Sequence, residues 1–246
     1  FCIFENQQLK YIPKMETKNV KAAEGKLGVL VVGLGGVSTT FITGVLMTRK
    51  GLAKPIGSMT QYDKIRVGRG ENKQYKHYGE IVPLTDLNDI VFGTWDAYPD
   101  NAYEAAINAE VLKEKDINPV KDELEKIVPM KAAFDHDYAK RIEGENIMKG
   151  ATRKEMIENL RKDISDFKKN NNCARIVVIW AASTEIYVPY YSPVHDSLAD
   201  LENAIEANDK EHIAPSMCYA YAALKEDAPF IMGAPNTTVD IPAMWE

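Results

Sequence analysis

The sequence predicts an α/β fold built on a doubly wound, mostly parallel sheet with helices on both faces. Three observations point there. Continuous apolar runs, Gly-Val-Leu-Val-Val-Gly from Gly28 and Arg-Ile-Val-Val-Ile-Trp from Arg175, have the pattern of strands buried on both sides, as parallel sheets require. Such runs alternate with stretches of helical period through most of the chain. The first run also ends in glycines and is followed by a helical pattern, the strand, turn and helix order of a doubly wound domain.

Residues 1–26 mix Gln, Lys, Asn and Glu without sustained period, and are expected to form an N-terminal arm ahead of a single domain over 27–246. After the strand from Gly28, residues 39–50 carry Phe41, Ile42, Val45 and Leu46 at helical spacing and stop near Gly51. Residues 51–80, rich in Gly, Lys, Tyr and Gln, read as a long connection with little regular structure, suited to a functional or assembly loop. Asp89-Ile-Val-Phe-Gly93 is a short second strand, and residues 101–115 a helix facing inward on Ala105, Ala106, Ala109 and Leu112. Thr152-Arg-Lys-Glu155 has the capping-box spacing, and Met156, Leu160, Ile164 and Phe167 follow on one helical face until Asn170-Asn-Asn172. Beyond the strand from Arg175, helices are expected over 196–208, on Leu198, Leu201 and Ile205, and over 214–225. Pro229-Phe-Ile-Met232 is the last strand, closed by Gly233.

Composition narrows the function classes. With 246 residues, 45% hydrophobic and 27% charged, the chain has enough apolar material for a sizeable core. Thirty basic against thirty-six acidic residues give a net charge of −6, which provides no general attraction to nucleic acid or to an anionic membrane. No apolar run approaches the ~20 residues of a membrane span. Cys2, Cys173 and Cys218 lack CxxC or Cys/His ligand spacing, so neither a disulfide framework nor a metal site is indicated, and a reducing cytoplasm is expected. His77, His136, His195 and His212 stand in no HExxH pattern and no serine sits in GxSxG; each histidine is expected at a solvated or hydrogen-bonded surface position. The opening Phe1 and the closing Met-Trp-Glu246 read as the ends of a portion of a longer protein.

The chemistry-bearing feature is Gly33-Leu-Gly35-Gly36-Val-Ser-Thr-Thr40. Glycines there let a backbone approach a pyrophosphate, and a helix N-terminus offers free N–H groups and the positive end of its dipole. The GxGxxG match is imperfect, with Ser38 at the third glycine position, and no Gly-Lys-Ser/Thr of a Walker loop follows. The same residues also suit a tight strand-to-helix turn without ligand. The acid expected about 20 residues beyond such a turn is missing, but Asp96 in Phe92-Gly-Thr-Trp-Asp96 follows the second strand and can serve a ribose, or cap the Asn101 helix or its loop. Two more strand ends are small and polar: Ala181-Ala-Ser-Thr-Glu185, where Ser183 and Thr184 can bond a cofactor or cap a helix, and Gly233-Ala-Pro-Asn-Thr237.

Together and in this order, Gly33-Leu-Gly-Gly36 with Thr39-Thr40, Asn88-Asp-Ile-Val-Phe-Gly-Thr-Trp-Asp96, Ile176-Val-Val-Ile-Trp-Ala-Ala-Ser-Thr-Glu185 and Gly233-Ala-Pro-Asn-Thr237 resemble the NAD-binding, Rossmann-like portion of the bacterial-type myo-inositol-1-phosphate synthase family. The resemblance runs over residues 26–246. It implies that Gly33, Gly35 and Gly36 hold the NAD diphosphate and Asp96 the adenosine ribose, with Ser183, Thr184, Gly233, Asn236 and Thr237 lining the cofactor. Leu34, Val37 and Ser38 of the turn, Ala182 beside Ser183 and Ala234 beside Gly233 join the expected contacts. The chain departs from the family in three places: Gly35-Gly36-Val-Ser-Thr-Thr40 is one residue shorter than the eukaryotic Gly-Gly-Asn-Asn-Gly-Thr-Thr, Ala181 and Ser183 replace Thr and Asn, and 129–135 lacks a serine expected near Ala132.

Family chemistry would be redox-neutral conversion of glucose 6-phosphate to 1L-myo-inositol 1-phosphate, by oxidation at C5, enolisation, aldol closure onto C1 and reduction at C5. Such a site needs cations where enolate and alkoxide charge develops. The resemblance puts them on lysines after the Asn-Thr motif, in a catalytic and tetramer-forming domain largely absent from this chain. No catalytic residue and no metal ligand is therefore expected within these positions, and the chain alone is expected to be inactive. A simple NAD-dependent dehydrogenase, distinguished by net NADH, and a non-catalytic NAD-sensing module are the other readings.

Overall fold

The computed structural model describes residues 24–246; the arm expected over 1–26 lies almost wholly outside them. In chain order the elements are β1 (Lys26–Val32), α1 (Gly36–Arg49), α2 (Met59–Tyr62), β2 (Lys64–Val67), β3 (Gln74–His77), β4 (Ile90–Asp96), α3 (Ala102–Asn108), α4 (Glu114–Ile117), α5 (Lys121–Leu124), β5 (Met130–Lys131), α6 (Arg153–Asn170), β6 (Cys173–Trp180), α7 (Leu198–Glu206), α8 (Pro215–Lys225) and β7 (Phe230–Met232). Five strands form one sheet in the order β5-β4-β1-β6-β7, with every pairing parallel. The chain runs outward from β1 through β4 to the edge at β5, then crosses back to β6 on the other side. That reversal makes a topological switch point between β1 and β6, and ligands bind outside the carboxyl ends of strands at such points.

Alternation along β1 feeds two cores. Val29 and Val31 face a layer made by α1, α3, α4 and α5, with Ile42, Leu46, Ala102, Ala106, Ile117 and Leu124 buried beneath it. Leu30 and Val32 face the opposite layer of α6, α7 and α8, where Trp95, Leu160, Ile164, Leu201 and Tyr219 are buried. Full burial of such large aliphatic and aromatic side chains is worth ~1.5 to 3 kcal/mol each, so these two layers dominate the stability of the sheet. The Phe167 ring of α6 lies where a Cβ at Gly28 or Gly93 would stand, at 3.0 and 2.5 Å, which is how α6 comes close to the sheet.

The helix expected from its capping box is present: Thr152 Oγ1 accepts from the Glu155 N–H at 3.2 Å and Glu155 Oε2 accepts from the Thr152 N–H at 2.7 Å. Other elements differ from expectation. Helix α1 starts three residues early, at Gly36, and buries Ser38, Thr39, Ile42, Thr43 and Leu46, so its inner face is rotated from the one predicted and Phe41 is exposed. The expected structureless 51–80 connection contains α2 and an antiparallel hairpin in which Lys64 pairs with His77 and Val67 with Gln74. The helix expected over 101–115 ends at Asn108, because Glu110 turns the chain with φ of 54°. Its start is capped by Asn101, which accepts from Tyr103 and Glu104 N–H groups, so Asp96 does not cap the helix but accepts from the Tyr98 N–H of the loop before it at 2.8 Å. His195, expected at the surface, is fully buried: Nδ1 accepts from the Tyr191 N–H at 3.1 Å and Nε2 lies 2.9 Å from the His212 carbonyl, where in the neutral tautomer it donates.

Among the described residues no helix is long and apolar enough to cross a membrane, and no group of three or more His, Cys, Asp or Glu is placed to hold a metal. Cys173 and Cys218 are free thiols, both buried.

The tightest point of the fold is the end of β1. Gly33 has φ of 89°, and a Cβ there would stand 2.6 Å from Ala182 Cα. Gly33→Ala is therefore expected to cost at least ~1 to 3 kcal/mol of unfolding free energy, combining left-handed strain with a backbone clash. Equilibrium urea denaturation measures it, and a variant as stable as the wild type would show that the β1 and β6 ends do not meet in this way.

Candidate functional site

The end of β1 is fixed by backbone bonds to both neighbours. Gly33 N–H donates to the Trp95 carbonyl of β4 at 2.8 Å, and Ala181 N–H donates to the Val32 carbonyl at 2.9 Å. The chain then turns through Leu34 and Gly35 into α1. Gly35 is the cap residue, no side chain caps the helix, and the first bond across the turn is from Thr39 N–H to the Gly35 carbonyl at 3.0 Å. The N–H groups of Gly36, Val37 and Ser38 thus have no carbonyl within the helix to bond, as in the first turn of any helix. A Cβ at Gly35 would meet no protein atom within 4 Å. An open, positively polarised helix end faces free space.

That space is a crevice of about 740 Å³ at the carboxyl ends of β1, β4, β6 and β7, within the size range of cofactor sites. Of the residues expected to form the site, Gly33, Leu34, Gly35, Gly36 and Val37 line it together with Asp96, Ala182, Ser183, Thr184, Gly233 and Ala234. Three others face elsewhere. The Ser38 side chain is buried and donates to the Gly33 carbonyl at 2.5 Å, so it braces the turn. Asn236 Oδ1 accepts from the Glu185 N–H at 3.2 Å, and Thr237 Oγ1 donates to the Val188 carbonyl at 2.9 Å. Both of the latter line a separate cavity of about 60 Å³ that shares only Thr184 and Pro235 with the crevice. The reason is geometric: side chains alternate direction past a strand end, and a string of small polar residues in sequence does not say which of them turn outward.

Asp96, the last residue of β4, points into the crevice mouth. Its Oδ2 accepts from the Leu34 N–H at 2.5 Å and its Oδ1 from the Tyr98 N–H at 2.8 Å. Burial pushes its carboxyl above the ordinary range, while those two N–H donors favour the ionised form and oppose the shift. The acid sits far from the turn in sequence because 51–89 carries the β2–β3 hairpin, yet it ends the strand beside β1, where a ribose-binding acid belongs.

Other walls of the crevice carried no motif. Ala105 and Asn108 of α3, Ala109 just past its end, Phe134 and the buried Tyr219 of α8 are among them. The Tyr219 hydroxyl accepts from the Ala133 N–H at 2.9 Å, and its ring meets Trp95 and Trp180 edge-on at 5.4 and 5.7 Å. A wider open groove of about 990 Å³ lies between α6 and residues 130–131 and 145–151, mixes acids with lysines, and shares no residue with the crevice.

A family model for the NAD-binding domain of myo-inositol-1-phosphate synthase matches residues 27–246. An inositol-3-phosphate synthase of Bacteroides thetaiotaomicron is 65% identical over 230 residues, covering 93% of this chain and 53% of its own length. One from Oryza sativa subsp. japonica is 34% identical over 251 residues, covering 95% and 49%. The crystal structure of inositol-3-phosphate synthase from Caenorhabditis elegans superposes with a TM-score of 0.82 at 26% identity, over 89% of this chain and 46% of that one. The chain spans about half the length of the curated relatives it matches.

The crevice fits NAD. The first-turn N–H groups of α1 suit a diphosphate, Asp96 suits a ribose diol, and the space in front of Gly35 is clear of protein. Gly35 has φ of −83° and ψ of −162°, an extended conformation open to any residue. Gly35→Ala is accordingly expected to leave the melting temperature nearly unchanged and to weaken NAD binding about tenfold or more, since a methyl group would intrude on the anion cradle. Parallel thermal melts and NAD titration decide it, and a variant that binds as tightly as the wild type would place the diphosphate elsewhere.

Proposed function

Because the chain belongs to the myo-inositol-1-phosphate synthase family, we propose that it is the NAD-binding half of an enzyme that converts glucose 6-phosphate to 1L-myo-inositol 1-phosphate without net oxidation. One observation carries the reading: an open helix N-terminus and a strand-end carboxylate share a single crevice at the switch point of the sheet. NAD, when bound, supplies reversible hydride transfer. The residues of this chain do the holding. Backbone N–H groups of Gly36, Val37 and Ser38 meet the diphosphate. Asp96 accepts from the ribose hydroxyls; a carboxylate has about four lone-pair sites, and the Leu34 and Tyr98 amides take one each. Ala182, Ser183, Gly233 and Ala234, with little side chain, leave a flat wall for the rest of the dinucleotide.

The cations that stabilise developing enolate and alkoxide charge, and the groups that complete the glucose 6-phosphate site, are assigned to the remainder of the protein that the longer relatives possess. A cytoplasmic homo-oligomer, tetrameric as the resemblance implies, goes with this reading, and the free thiols Cys173 and Cys218 suit a reducing compartment.

Calorimetric titration with NAD is expected to show one site, and Asp96→Ala to lose ~1 to 3 kcal/mol of binding, the cost of removing one partner of charge-assisted hydrogen bonds. Absence of NAD binding by the wild-type chain would overturn the cofactor reading. With the coding sequence extended to the length of its relatives, glucose 6-phosphate is expected to yield inositol phosphate with no net NADH. Steady accumulation of NADH would mark a simple dehydrogenase instead.

A further inference from the structure

A second polar cluster lies where the β6 and β7 ends meet, just behind the crevice wall. Helix α8 begins there with Ala214 at its cap and Pro215 at its first position, and no side chain of its own caps it. Glu185 supplies the missing acceptor from a distant part of the chain. Its Oε1 accepts from the Ser216 N–H at 3.0 Å, and its Oε2 bonds the Ser216 hydroxyl. Ser216 Oγ lies 2.7 Å from Thr238 Oγ1. Glu185 also donates its N–H to Asn236 Oδ1 at 3.2 Å, with Asn236 Nδ2 3.4 Å from Oε2. The side chain is 7% exposed and lines the small cavity, not the crevice itself. One buried carboxyl thus joins the α8 N-terminus to both loops whose preceding residues face the crevice.

We propose that Glu185 is a positioning residue for the cofactor: through Ser216 and Asn236 it fixes the spacing between the 181–184 and 233–235 edges that receive the half of the dinucleotide beyond the diphosphate. This rests on the NAD reading of the crevice. The fully buried Arg153 of α6, with its ion-pair partner Asp135 at 2.8 Å, faces the cluster, as do Tyr138 and Cys218. Burial holds the Tyr138 hydroxyl and the Cys218 thiol up at about 12, so both stay neutral. Asp135 is held below its ordinary range despite burial, by the Asp137 N–H and by Arg153. Glu185, raised to about 7 by burial against the pull of Ser216 and Arg153, is the member that changes charge near neutrality. Its folded value lies above its unfolded value, so its contribution to stability is complete below about 4.5 and is lost as pH rises through about 7. Protonated, Glu185 can donate to Ser216 Oγ while accepting from the Ser216 N–H. Glutamine reproduces that pattern with one acceptor and one donor.

The test is NAD affinity and melting temperature for wild type, Glu185→Gln and Glu185→Ala, from about pH 5 to about pH 8. The wild type is expected to lose both affinity and melting temperature, relative to Glu185→Gln, as pH rises through about 7. Glu185→Ala is expected to bind about tenfold more weakly throughout, and Glu185→Gln to restore binding to the low-pH wild-type level. Taking wild type against Glu185→Gln cancels every pH effect the two share, and that pair decides alone if Glu185→Ala does not fold. Affinities indifferent to both substitutions and parallel pH profiles would overturn the proposal while leaving the NAD site standing. A wild-type chain that binds no NAD at any pH would remove both.

Discussion

The hydrogen bond from the Leu34 amide to the Asp96 carboxylate ties the glycine turn to the neighbouring strand. One residue earlier, the Gly33 amide makes the same tie to the Trp95 carbonyl. Everything at the crevice mouth depends on that pair. The turn must stop short of the carboxyl edge for the α1 N-terminus to open outward, and it must also stay flat enough to pass Ala182. A half-buried amide without its acceptor would cost ~1 to 3 kcal/mol, so the carboxylate serves the fold before any ligand arrives. The carboxylate proposed to receive a ribose is thus already held in position by the turn it helps to shape.

Two carboxyls near the crevice are treated differently by their surroundings. Asp96 keeps one edge toward the crevice and receives two amides; Glu185 is enclosed and bonds a serine and an asparagine. Environment, not residue type, separates the roles. Asp96 is available for contact, whereas Glu185 reaches the crevice only through the loops it holds.

The sheet was legible in the sequence wherever local pattern and tertiary need agreed. The β-branched runs of β1 and β6 can be buried on both faces, and α6 combines a capping box with Met156, Leu160 and Ile164 on one side. The turn and Asp96 were legible as well, the acid only through its strand. A count along the chain misleads because the β2–β3 hairpin intervenes, while neighbourhood in the sheet preserves the relation. What stayed hidden depends on partners far away in sequence. In the hairpin β2 alternates charged and apolar residues, but both strands are short, largely exposed and paired only with each other. The burial of His195 rests on Tyr191 and His212, and that of Glu185 on Ser216 and Asn236. Neither leaves a local periodicity to read.

The strand order also governs how the chain comes together during synthesis. β1 occupies the middle of the sheet, with Leu27 beside Ile90 on one flank and Arg175 on the other. Both pairings close long loops, a topology that slows folding. A nascent chain therefore carries the apolar residues 29–32 with one flank open until Trp180 has left the ribosome, a window in which chaperones or a neighbouring chain can reach an unpaired strand.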